Sequence, residues 1–558
     1  MINIFLSCAV VSFVLIVYGK CLLNLFKEKS SDLDHNFSEY GLFGIIFISF
    51  ISLFANFFFS INIFFNNLIL IVGFIYGCFY IKFSKKFFYI IILSSLFSTL
   101  LITLNNVNRP DAGLYHLPYV SILNNEKIII GLSNLHSRFG HISIMQYAGS
   151  VFNNSLLNDN GIAIPLALCT VFFLIYLTNK LFSLLNTKTN LITFVFLFLL
   201  LIFSFYSFSN YSEYGNDVPA FIYFFLTIII YLNTNNLKKQ FTYNDKKIII
   251  ASIFVVFNKV FFILISLIPI LIIFIKYKNF LKKKIFSLFI ILFLGMWFFK
   301  NILITSCIIY PVKITCLKQV SWYNEKEIVN THISSEAWAK AWIDQDEPRV
   351  VFEKYNEGFK WFKTWSKKHL KKINEKFTPF IIFNIIFISI LFLKYSKKNI
   401  YFYKSKQTLK KIKIIILLNI IGTLFWFVKF PIYRYGAAYL ACSISGISVL
   451  ILYFFNKKIN LNINLIKILI FFSIFLFISI NIKRIIKNFD HVYNQYPWPK
   501  IYSFSVENIA ELKIPMRNNK KITYYKSKAE CMYTIYTPCT HEEKSINYKE
   551  ILGYKIFY

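Results

Sequence analysis

The stretch IIIASIFVVFNKVFFILISLIPILIIFI, residues 248–275, decides how this chain is built. It is apolar for 28 residues apart from Asn258 and Lys259 near its middle. Basic clusters flank it: Lys238, Lys239, Lys246 and Lys247 before, Lys276, Lys278, Lys282, Lys283 and Lys284 after. About 20 apolar residues span a hydrocarbon core of about 30 Å, and clustered lysines mark the cytoplasmic flank of such a run. If both clusters lie on one side, the run must enter the membrane and return. The sequence therefore predicts two short or broken helices meeting near Lys259. Such irregular backbone is tolerated at that depth only when buried in protein or lining a cavity. One long tilted helix is the competing reading, and it breaks the charge rule downstream.

The rest of the chain agrees. It is 57% hydrophobic and 16% charged, with mean hydropathy +0.56, against roughly 45–50% apolar and 25% charged in soluble domains. Further apolar spans lie near 3–26, 40–60, 61–81, 87–104, 161–179, 190–209, 217–232, 285–308, 377–393, 414–430, 436–455 and 464–482. The first, from Asn3 to Phe26, has neither a basic start nor a small-residue cleavage site and reads as a retained helix. The net charge of +35 does not indicate nucleic acid, because the lysines sit in short clusters between apolar runs. Short loops assigned inside (27–39, 82–86, 180–188, 238–247, 276–284, 394–413, 457–458) hold 26 Lys and Arg; those assigned outside (105–160, 210–216, 431–435) hold 4. Loop 309–376 is basic yet outside, and loops that long cross largely regardless of charge.

The expected fold is an all-α polytopic membrane protein of about 12–14 transmembrane helices. Its parts are N-terminal helices (1–104), a first periplasmic loop (105–160), central helices broken near 259 (161–308), a large periplasmic loop (309–376), C-terminal helices (377–482) and a small periplasmic tail (483–558). No Gly-rich phosphate loop follows a strand, and no internal repeat is evident.

Polar residues in so apolar a chain stand out. The first outer loop opens Asn108-Arg109-Pro110-Asp111-Ala112-Gly113-Leu114-Tyr115-His116 and continues Gly131-Leu132-Ser133-Asn134-Leu135-His136-Ser137-Arg138-Phe139-Gly140-His141. Asp111 directly follows a membrane helix, at the lipid–water boundary, where a carboxylate can act as general base or hold a divalent cation. Its structural alternative is a cap for an amphipathic helix over 112–123. Asp217 opens the next span after the turn Asn210-Tyr211-Ser212-Glu213-Tyr214-Gly215-Asn216, either as a plain cap or as partner to Asp111 in an acid–base or metal pair; Glu213 is a weaker third. Lys259, Lys300 and Arg434 are cations at or near membrane depth, where charge is costly and functional by default. Arg holds a phosphate through two bonds, Lys as a point charge; snorkelling to the interface is the structural reading of Lys300. Trp338, Trp342, Trp361 and Trp365 in the large loop suit an interfacial belt or the loop's own core, or sugar stacking. The nine cysteines show no CxxC, and most lie in apolar runs. Cys531 and Cys539 flank a short tail loop and suit a disulfide in an oxidising compartment.

The run from Asp111 to His116, with that from Gly131 to Gly140, resembles the signature of a bacterial family of multi-pass membrane proteins grouped with the GT-C glycosyltransferases. Asp217-Val218-Pro219-Ala220, Lys259, Lys300-Asn301, Tyr310-Pro311, Pro431 with Arg434-Tyr435-Gly436, and Pro538-Cys539 follow in the same order. The resemblance covers most of the chain from about residue 105. It implies transfer of a sugar from a polyprenyl-phosphate donor at the periplasmic face of the bacterial inner membrane, with Asp111 as base or metal partner. Two departures are the extra helices before the first loop and Lys300 where Arg is expected.

The expected activity is therefore a membrane glycosyltransferase acting on an envelope glycan, lipid or protein acceptor. Asp111 and Asp217 would be catalytic, with Mg or Mn as the divalent cation they could hold, and Tyr115, His116, His136, Arg138, His141, Lys259, Lys300 and Arg434 would bind substrate. An envelope polysaccharide polymerase or ligase, resting more on the loop histidines and Arg138, is one alternative. A lipid-linked glycan flippase or transporter, favoured by the broken span, is the other.

Overall fold

The computed structural model describes residues 1–27, 36–105, 111–187, 191–208, 214–234, 240–342, 352–393, 406–454, 463–489, 497–499, 509–515, 521–527, 530–541 and 546–558. Among these, ten helices are long and apolar enough to cross a membrane: Ile2–Leu25, Phe37–Asn56, Ile63–Tyr80, Lys85–Ile102, Asp159–Leu185, Lys284–Thr305, Phe362–Leu391, Lys406–Lys429, Tyr433–Phe454 and Asn464–Phe489. The shorter Leu191–Ser207, Asp217–Asn233 and Val260–Ile275, with Tyr243–Asn258, fill the remaining expected places. The chain is a helical, multi-pass membrane protein. Side chains such as Phe64, Ile71 and Phe79 lie exposed on helix flanks, as they do where lipid is the solvent. Ile2–Leu25 and Phe37–Asn56 approach backbone to backbone. A β-carbon at Gly19 would collide with the Tyr40 carbonyl, and one at Gly44 with that of Leu15, which is the small-residue crossing of membrane helices.

The stretch 248–275 does turn back. Helix Tyr243–Asn258 ends, Lys259 is extended (φ −156°, ψ 106°), and the chain resumes as a 3₁₀ turn, Val260–Ser266, running into Leu267–Ile275. The two ends of this hairpin then meet. Lys276 Nζ lies 2.8 Å from Asp245 Oδ2, with both side chains almost wholly buried. Asp245 also closes a capping box with Thr242. Neighbouring lysines are consumed nearby: Lys246 donates to the Phe26 carbonyl (2.7 Å), Lys247 pairs with Glu39 (2.9 Å), and Lys411 donates to the Tyr231 carbonyl (2.9 Å). We call this the lysine end.

The three polar regions gather at the opposite, loop end. Gly131 N–H donates to the Leu303 carbonyl (2.7 Å), the Trp365 indole to the Pro431 carbonyl (2.5 Å), and Leu104 N–H to the Pro497 carbonyl (2.8 Å). Beyond Phe489 the described tail residues form short strands. Ile509–Pro515 pairs antiparallel with Lys521–Ser527, which pairs parallel with Cys539–Thr540, and Tyr548–Ile551 forms a hairpin with Tyr554–Phe557. The membrane part is all-α as expected, and the tail adds two small sheets beyond the last membrane helix.

The hairpin base gives a direct test. Lys276→Met leaves the Asp245 charge buried and unpaired, and should destabilise the protein by roughly 3–5 kcal/mol, read as a lowered thermal midpoint in detergent. Adding Asp245→Asn should recover most of the loss.

Candidate functional site

Four segments distant in sequence bring their charged residues together at the loop end. Asp111 precedes a π-turn, Ala112–His116, which leads into helix Leu117–Asn125; such turns recur at functional sites. No side-chain cap bond closes this start or that of Asp217–Asn233. The Asp111 carboxylate turns instead to Arg434, with Oδ2 2.9 Å from Nη1. Helix Leu117–Asn125 is buried all round up to Asn124, not amphipathic. Arg434 also faces Asp217, Nε to Oδ2 at 3.8 Å, and the other Asp217 oxygen pairs with Lys259. The hairpin tip thus delivers its ammonium to the network. Lys259 Nζ lies 3.5 Å from the centre of the Tyr435 ring, a cation–π contact that offsets part of its desolvation.

Two carboxylates and two cations leave the cluster formally neutral. It is also graded. The side chains of Lys259 and Asp217 are 12% and 16% exposed, those of Asp111 and Arg434 37% and 45%. The inner pair is fixed and the outer pair open to a ligand.

His116 and Tyr115 line the inner side. Ser143 N–H donates to Gln146 Oε1 (3.1 Å), which turns the Gln146 amide nitrogen toward His116 Nδ1 (2.8 Å). That nitrogen must accept, so the ring proton sits on Nε2. Burial drives His116 down to about 4, opposed by Asp111 and Asp217 and helped by Arg434 and Lys259. The ring is therefore neutral at physiological pH. Burial alone would raise the Asp111 carboxyl, but Arg434, by charge and by hydrogen bond, with His116 and Arg138 behind it, holds it below the usual carboxylate value. Tyr115 packs on His116, with ring centres 4.2 Å apart. His141 lies against Tyr310 (5.2 Å) and is lowered to about 3, by burial first, then by Arg138 and Lys259.

Two expected members rest on aromatic neighbours. His136 is buried against His541, ring centres 4.7 Å apart. Lys300 does not snorkel: it is 1% exposed, its ammonium 3.7 Å from the Trp297 ring centre. Arg109 and Glu213 lie outside the described residues. The carboxylate pair does not suit a divalent cation. Asp111 and Asp217 each face a protein cation, and among the described residues no group of three His, Cys, Asp or Glu is assembled. Gln146 carries no mark in the sequence, and Tyr435 enters there only within the run Arg434-Tyr435-Gly436. Cys531–Cys539 is a disulfide; Cys307–Cys316 is a second, unforeseen because Cys307 closes an apolar run.

Fold and site together define a multi-pass membrane protein with a neutral carboxylate–cation cluster at one end of its bundle. The chain belongs to the family described as a domain of unknown function, DUF8201, whose model matches residues 1–441. No curated protein and no solved structure matches it.

The buried neutral histidine sets a pH dependence. The unfolded chain binds a proton at about 6.5 and the folded site only near 4. The stability contributed by His116 is therefore complete above about pH 6.5 and lost progressively as pH falls toward 4. His116→Gln should flatten that fall in the thermal midpoint measured between pH 7 and 4.

Proposed function

We propose that this protein transfers a glycosyl group from a polyprenyl-phosphate sugar to a hydroxyl acceptor. The observation that carries the reading is Arg434 held between Asp111 and Asp217, with Lys259 beside it. A guanidinium and an ammonium together suit a phosphate. In the reaction the acceptor oxygen bonds to the anomeric carbon and the carbon–oxygen bond to phosphate breaks. Asp111, ionised at neutral pH, takes the acceptor proton, and Arg434 and Lys259 hold the departing lipid phosphate. Phosphate binding draws Arg434 from Asp111 and frees that carboxylate as base. A small cavity lined by His116, Gln146 and Asn216, of a size for water rather than for a sugar ring, lies on the inner side of the turn.

On this reading the loop end faces the periplasm of a bacterial inner membrane. The 26-to-4 asymmetry of Lys and Arg supports that orientation. So do the cysteines: both disulfides, Cys307–Cys316 and Cys531–Cys539, are at the loop end, whereas Cys8, Cys21, Cys78, Cys169 and Cys442 lie free in helices. The hairpin with its charged tip favours one second reading, a flippase for the same lipid.

Labelled sugar transfer from polyprenyl-phosphate donors, in membranes carrying each variant, tests the proposal. Asp111→Asn should cost at least about 100-fold in rate at unchanged membrane insertion; full activity would remove Asp111 as base. Arg434→Lys keeps the charge but loses the fork, and should raise the donor KM about tenfold or more. Lipid translocation in proteoliposomes without bond formation would replace this reading by the flippase.

A further inference from the structure

We infer that the C-terminal tail is a positioning element of this site, holding the Asp111–His116 turn in register with Arg434. The inference rests on the proposed transfer for its catalytic meaning, but its structural half is tested independently. The tail lies beyond the residues matched by the family model, yet its segment 530–534 is seated directly on the turn. Met532 N–H donates to the Gly113 carbonyl (2.9 Å). A β-carbon at Gly113 would meet the ends of the Glu530 and Met532 side chains, so these two tail side chains rest directly against the turn two residues after Asp111. The Ser121 hydroxyl donates to the Thr534 carbonyl, and the Tyr533 hydroxyl accepts from Asn153 (2.5 Å) and donates to Asn124 (3.2 Å). Cys531, Met532, Tyr533 and Thr534 are all buried.

The tail segment is itself held in an unusual shape. Met532 has φ +54°, a left-handed conformation uncommon for a side chain of this size and maintained only by its surroundings. The Cys531–Cys539 disulfide closes the loop around it, and Cys539 is anchored in the tail sheet opposite Tyr525. A second grip lies farther along the first loop. Ile130 and the last strand exchange hydrogen bonds, with Ile130 N–H to the Lys555 carbonyl and Phe557 N–H to the Ile130 carbonyl, both 2.9 Å. Lys555 pairs with Glu126 (2.5 Å), and the Asn134 amide donates to the Phe557 carbonyl (3.2 Å). The first loop, which carries Asp111, Tyr115 and His116, is thus clamped by the tail at two places, while Arg434 and Lys259 come from the membrane helices. A displacement of about 1 Å between reacting groups costs up to about a hundredfold in rate.

The experiment uses the full chain in nanodiscs. Cys531→Ser with Cys539→Ser opens the tail loop, and Gly113→Ala presses on it with the disulfide intact. Cys307→Ser with Cys316→Ser, which removes the other disulfide, is the control. Hydrogen exchange over residues 111–117 should rise in the first two and stay at the wild-type rate in the control. The transfer kcat should fall between about tenfold and a hundredfold, with donor KM within about twofold, because Arg434 and Lys259 are untouched. Wild-type exchange in both test variants overturns the inference, as does raised exchange with unchanged kcat. If the wild type transfers no sugar, the transfer reading fails by itself, and the exchange of residues 111–117 alone decides whether the tail holds the turn.

Discussion

The loop end is organised around one guanidinium shared by two carboxylates. Arg434 stands 2.9 Å from Asp111 and 3.8 Å from Asp217, where the membrane helices end and the loops begin. A single charge of either sign there would be costly to desolvate. Two acids and two bases together are tolerable, because each supplies the counter-ion that water would otherwise provide. Asp217 shares its two oxygens between Lys259 and Arg434, and Lys259 reaches it because the apolar run around it is broken and doubled back.

That doubling-back is enforced from the far end. Asp245 and Lys276 close the base of the hairpin, and Lys246, Lys247 and Lys411 tie the same layer to neighbouring helix ends. At the tip, Asn258 accepts a hydrogen bond from the Ser143 hydroxyl (2.8 Å) and the Phe261 carbonyl accepts one from Tyr439 (3.2 Å). The tip is therefore fixed both to the first outer loop and to the helix bearing Arg434. Packing and hydrogen bonding, more than the ion pairs themselves, set the distances in the cluster.

This division explains what the sequence discloses. Membrane spans are legible because lipid imposes a length and a polarity on every helix that crosses it. The hairpin is legible because lysines reveal which flank they occupy. Asp111, Asp217, Lys259 and Arg434 stand out by the same rule, since a charge beside hydrocarbon needs a reason, and the structure supplies one by bringing them together. The limits are physical too. Lys300 obeys the rule and yet is buried on Trp297 rather than snorkelling to the interface, because a solitary charge in a helix does not say which way it faces. The π-turn after Asp111 carries no compositional mark. Docking of residues 530–534 on Gly113 joins segments more than 400 positions apart, a contact that no local pattern encodes; the glycine itself was visible, but not what presses on it.

The closed cluster also bears on how a site of this kind can be both stable and reactive. The charges are balanced within the protein, and the inner pair, Lys259 with Asp217, is largely buried. The outer pair is different: Asp111 and Arg434 are each more than a third exposed, and an ion pair so placed gains little over solvation of the separate partners. On the proposed reading, an entering phosphate would compete for Arg434 against a weak contact, with the Lys259 charge behind it. What is given up would be small, and it would release a carboxylate beside the bond to be made. The gradient in burial across four side chains, not the strength of any one pair, makes the arrangement suited to take an anion and act on what it carries.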